Sequence, residues 1–157
     1  YAECEQVARS LGNDTMMSLA WLGYGTLARL RGDADEARRR FADALEVTRR
    51  TGMATQAVAA LAGLAAAQLD AGEVGEAGRT LAQAFDACGA VGEAAVRAAA
   101  LEQRARLAAV RGDRGEAVEL LGQATALREA AHRPRTVLEL RDAEAVAAAG
   151  TGGSVTS

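Results

Sequence analysis

Lysine and isoleucine are absent from this 157-residue chain, and asparagine occurs once, at Asn13. Those three residues have AT-rich codons, while the abundant alanine, glycine and arginine have GC-rich ones. The arginines therefore reflect genome composition, as in a high-GC bacterium, and not a functional basic surface. The net charge of −3 argues against non-specific nucleic-acid binding, so no direct nucleic-acid partner is expected. Aromatic residues are only 3% of the chain, so large rings cannot build its core. Alanine and leucine must fill it, which calls for close backbone approach, and alanine favours helix over strand. A single proline, Pro134, leaves nearly the whole chain free of helix breakers. The two cysteines, Cys4 and Cys88, are too few and too far apart for a disulfide framework or a zinc site. They read as small, half-buried thiols in a reducing cytosol. No apolar run approaches the roughly 18 residues of a membrane span, and no signal peptide is visible. A cytoplasmic location without membrane contact is the expectation.

Catalytic chemistry is scarce as well. A phosphate-binding loop needs a lysine that the chain does not contain. The only histidine, His132, falls where a turn is expected, and a solvated loop histidine fits that position better than a general base. Carboxylates are plentiful, but they are placed at helix starts and on outer faces. The run Arg38-Arg39-Arg40 with Arg49-Arg50 lies among Asp35, Glu36, Asp43 and Glu46 at spacings of three and four. That is the pattern of a solvated helix face with local ion pairs. The chain is read as no enzyme, with no cofactor and no metal.

What the sequence does contain is a period. Gly32, Gly72 and Gly112 are 40 residues apart, and an acidic residue follows each: Asp33, Glu73 and Asp113. Three residues on come Glu36-Ala37, Glu76-Ala77 and Glu116-Ala117, then Phe41, Leu81 and Leu121, then Ala44, Ala84 and Ala124. Gly52, Gly92 and His132 close the three copies, and Tyr1, Cys4 and Gly12 fit a fourth, incomplete one. The glycine ends a helix, the acidic residue caps the next, and the glutamate completes a capping-box-like start. The small and large apolar residues then share one helix face, the small ones allowing close approach.

The spacing predicts helices over 1–11, 14–31, 33–51, 53–71, 73–90, 93–111, 113–131 and 134–149, with Pro134 in the first turn of the last. Residues 1–12 are the second helix of a truncated repeat; 13–52, 53–92 and 93–132 are full repeats; 133–149 is a capping helix. The last helix should turn Val137, Leu140 and Ala147 inward and Arg135, Glu139, Arg141 and Asp142 to water. Residues 150–157, rich in Gly, Ser and Thr, read as a disordered tail.

The first full copy reads Trp21, Tyr24, Gly25, Ala28, Gly32, Glu36-Ala37, Phe41 and Ala44-Leu45, which closely resembles the tetratricopeptide (TPR) signature. It departs from that signature in its 40-residue spacing, against 34, and in later copies that keep only the second-helix pattern. The resemblance implies an all-α fold: a right-handed superhelix of antiparallel helix pairs, about eight helices in all. Longer repeats of this kind resemble those of large bacterial transcriptional regulators with a signalling ATPase core, the MalT, AfsR and LuxR-related group. The stretch AVELLGQATALREA, Ala117 to Ala130, is similar to the end of the helical sensor region in actinobacterial members. This resemblance implies a sensor or coupling region for signal transduction and transcription regulation; the alternative is a stand-alone TPR adaptor for protein–protein interaction.

In such a stack the first helices line the concave face. Helical spacing then nominates a groove of Leu19, Leu22, Thr26, Arg29 and Leu30, followed by Ala62, Ala66, Leu69 and Asp70, and then Glu102 and Arg106. A small, apolar floor with a few charges suits an amphipathic helix or peptide. It equally suits a neighbouring domain of the same chain, or mere packing; a small-molecule effector is a further candidate. The chain begins at Tyr1 and not at methionine, so it reads as a piece of a longer one. Self-association through residues 1–30 is expected, because no first helix covers that end.

Overall fold

The computed structural model describes residues 2–89 and 91–151. Among them the chain is all-helical. Its eight helices are α1 Ala2–Ser10, α2 Asp14–Leu30, α3 Ala34–Thr51, α4 Ala54–Asp70, α5 Val74–Cys88, α6 Ala94–Arg111, α7 Arg114–Ala130 and α8 Val137–Thr151. The chain divides into two compact units, Tyr1–Gly92 and Glu93–Ser157, at the boundary expected between two repeats. None of the described helices is long and apolar enough to cross a membrane.

The repeated glycine does the work its spacing suggested. Gly12, Gly32, Gly52, Gly72 and Gly112 all take positive φ, between 59° and 86°. After each, the next backbone N–H reaches back to a carbonyl five residues earlier, as Asp33 N does to Ala28 O at 2.9 Å and Asp113 N to Ala108 O at 2.9 Å. This closes the helix end in a Schellman arrangement. His132 fills the same role at φ 51°, and Arg133 N bonds Arg128 O at 2.9 Å. Gly92 is the exception: it has no positive φ.

Capping is less uniform. Asn13, Asp33 and Asp113 accept from the backbone N–H of Met16, Glu36 and Glu116 at 3.0, 2.9 and 3.1 Å. Glu73, expected to cap α5, makes no such bond. Its side chain is one methylene longer than aspartate, and it pairs instead with Arg38 on α3.

In the first unit α1 packs on α2, α2 on α3, α3 on α4 and α4 on α5, while α2 also meets α4. Phe41 stands at the centre with Ala28, Ala37 and Ala67, flanked by Leu22 and Leu64. Two helical glycines make room for its ring. A Cβ on Gly25 would sit 2.8 Å from three ring carbons; one on Gly63 would sit 2.7 Å from Cζ and closer still to Cε1. In the second unit α6 packs on α7, and α8 lies on both. Its core joins Ala105, Ala108, Ala117, Leu120 and Val146.

Helix α8 corrects three expectations. It begins at Val137, so Pro134 belongs to the preceding turn; Thr136 and Glu139 form the helix start, with Thr136 N donating to Glu139 Oε2 at 2.7 Å. The helix runs through Gly150 to Thr151, into the segment expected to be disordered, and residues 152–157 lie outside the described residues. Its face is also rotated. Val137 is 79% exposed and Leu140 and Ala147 are exposed, whereas Leu138, Val146 and Asp142 are buried. The roles expected of Tyr1 and of the Cys4 side chain lie outside the described residues.

Candidate functional site

In the first unit the nominated groove residues part into two groups. Leu19 and Leu30 are 52% and 50% exposed, and Thr26 lies exposed between them, its hydroxyl donating to Leu22 O at 2.9 Å. At 100° per residue these three fall within about 40° of arc on α2. The others turn inward. Leu22 packs against the Phe41 cluster, and Ala62, Ala66 and Leu69 are interior residues, not an open floor. The sequence of α4 is apolar on every side, so spacing alone could not distinguish its faces. Arg29 is buried, and its guanidinium grips Asp70 with two bonds, Nε to Oδ2 at 2.7 Å and Nη2 to Oδ1 at 3.1 Å.

Glu102 and Arg106, both in the second unit, belong to two polar groups there. Glu102 is 2% exposed, which contradicts its placement on a groove surface. It accepts from Arg128 at 2.7 Å through Nε and 2.8 Å through Nη2, and from Arg135 Nε at 2.7 Å. Arg128 also donates to Glu139 at 2.8 Å, and Arg135 to the Thr125 hydroxyl at 2.8 Å. Burial acts against the charged Arg128, but its bonds to Glu102 and the charges of Glu102 and Glu139 outweigh it and raise its pKa above the usual arginine value. Arg106 donates to Gln103 at 2.9 Å and stands 3.5 Å from the buried Asp142, which also accepts from Gln103 at 3.2 Å. Each buried charge thus has a partner of opposite sign, as low local polarity requires.

Over the first of these groups lies a cleft of ≈ 450 Å³, lined by Thr125, Arg128, Glu129, His132, Arg133, Pro134 and Arg135. It is formed where α7 ends and the chain turns into α8. Among the described residues no group of three or more His, Cys, Asp or Glu side chains could hold a metal ion. Three of the seven residues that line the cleft are arginines.

Spacing did not single out Arg128, Arg135, Glu139 or Asp142, but a signal was present. In the 40-residue register Arg128 aligns with Thr48 and Cys88, and Glu102 with Leu22 and Ala62. Thr48 and Ala62 are buried. Opposite charges at two positions that the other copies fill with small or apolar residues, wholly or partly buried, point to a buried pair. Comparison with protein-family models, with curated proteins and with solved structures gave no match.

Proposed function

We propose that this chain is a non-catalytic binding module: the TPR-like sensor or coupling region of a larger bacterial transcriptional regulator. The observation that supports this reading best is the exposed stripe of Leu19, Thr26 and Leu30 on α2, whose opposite side is held by the Phe41 core. An apolar stripe on a rigid helix pair suits an amphipathic helix, from a partner protein or from a neighbouring domain. In this reading the helix pairs continue as a right-handed superhelix in the parent protein, and partner binding shifts the equilibrium of the whole. The periodic Glu36, Glu76 and Glu116 are then structural. Reading the gene on both sides of the segment tests the proposal. A phosphate-binding loop and a DNA-binding helix-turn-helix in the same frame support the regulator. A short frame that encodes helix pairs alone overturns it in favour of a free-standing adaptor.

A further inference from the structure

We infer that the cleft at the junction of α7 and α8 binds a small organic molecule through its carboxylate. Three arginines are among the residues that line it, Arg128, Arg133 and Arg135. Two of them have guanidinium groups held in place by carboxylates. Arg128 uses Nε and Nη2 on Glu102 and Glu139, and Arg135 uses Nε and Nη2 on Glu102 and Thr125. Each keeps its Nη1 group without a partner, and neither Nη1 is sealed from solvent. These are fixed, charged donors with unused capacity, on side chains whose ordering has already been met by folding. Arg133 is exposed and makes no side-chain bond, so it can swing onto a ligand.

Charge and size narrow the ligand. Glu102 and Glu139 already neutralise Arg128 and Arg135, which leaves Arg133 beside Glu129 on the lining. A dianionic phosphate would enter among three carboxylates with twice the charge of a carboxylate. A carboxylate needs only one charge: Arg133 can take it in the planar, bidentate fit, and the Nη1 groups of Arg128 and Arg135 add single bonds. The ≈ 450 Å³ of the cleft is the scale of a small-molecule site, and Pro134 supplies an apolar wall for a short hydrocarbon stem. This inference rests on the reading of the chain as a binding module. Its test needs no neighbouring domain, so the regulator assignment can fail at the gene while the cleft stands, and the reverse.

His132 lines the cleft and is the only histidine in the chain, so its imidazole C–H resonances in a one-dimensional proton spectrum report on this place alone. Sodium butanoate, sodium phosphate and sodium chloride are titrated separately into the chain at neutral pH and constant ionic strength. Butanoate should move the His132 signals along a saturating curve, and chloride should not. Arg133→Ala, which breaks no bond in the fold, should weaken butanoate binding about tenfold, the loss of about 1.4 kcal/mol. Arg111→Ala, an exposed change at the end of α6, should leave it unaltered. Shifts that do not saturate, or that chloride reproduces, overturn the site. Tighter binding of phosphate than of butanoate overturns the carboxylate assignment, and undiminished binding by Arg133→Ala overturns the location.

Discussion

Replacing Glu102 by alanine tests whether buried charge holds the second unit together. The carboxylate is 2% exposed and takes three bonds of 2.7 to 2.8 Å from two arginines. Its removal leaves the buried Arg128 with Glu139 alone, while Arg135, less buried, can turn to water. Breaking a buried pair on one side costs about 3–5 kcal/mol. The remaining bond to Glu139 puts the expected loss near the lower end, about 3 kcal/mol. Replacing both partners, as in Glu102→Leu with Arg128→Leu, removes the stranded charge and should recover most of that loss, since apolar pairs of similar volume are often neutral or better. Urea unfolding followed by circular dichroism reports on all helices. Trp21, the only tryptophan, reports on the first unit by fluorescence, so the two probes together locate the loss. If the single variant shifts stability by less than about 1 kcal/mol, the buried network is not what holds α6, α7 and α8 together. If the double variant is as unstable as the single one, the cost comes from lost packing and not from an uncompensated charge.

Gly63→Ala should destabilise the first unit by about 1–2 kcal/mol, the overpacking against Phe41 exceeding the helix-propensity gain. Gly122→Ala, with nothing within 4 Å of the new methyl, should stabilise by up to about 1 kcal/mol, and melting temperatures that rank the two the other way refute the packing scheme. Ala84→Glu places a carboxylate at a fully buried position without a partner and should unfold or partly unfold its unit, a loss of helical signal that an unchanged melting temperature would contradict. Asp43 has its pKa raised, first by burial and then by Glu46, Glu36 and Glu5, against the pull of Arg40. The fold therefore disfavours its charged form; that penalty is complete above the raised pKa and vanishes as acid protonates the group. Asp43→Asn should stabilise at neutral pH, with an advantage that shrinks as pH falls through the acidic range. An advantage that grows on acidification would have the wrong sign.

Helix boundaries were legible because the glycine and the residue after it recur every 40 positions and act locally: six of the helix ends close by the same backbone bond. The faces were less legible. An aspartate in α8 reads as a water-facing residue, yet Asp142 is buried against Gln103, 39 residues away, a partner that no local period reveals. Admitting it to the interior rotates the whole helix, so Leu138 and Val146 replace Val137, Leu140 and Ala147 on the inner side. Glu73 follows the capping period but is too long to obey it, and Arg38 takes it instead. The groove set failed in α4 for another reason: an alanine helix has no polar side to orient it, so Ala62 and Ala66 could be assigned to any face.

That same sameness gives Phe41 a second importance. Along the row Ala59, Gly63 and Ala67 of α4 every residue is small, so on that row a slide of one turn, about 5.4 Å, would exchange one small residue for another. Buried Val58, Leu61 and Leu69 hold the helix elsewhere, but along this row apolar area alone would hardly distinguish the two positions. The ring of Phe41 does, because it works as a key in a single slot. One turn to either side of Gly63 stand Ala59 and Ala67, and a slip would drive one of their methyl groups into the ring where Gly63 has none. The axial position of α4 is thus recorded in a missing carbon atom.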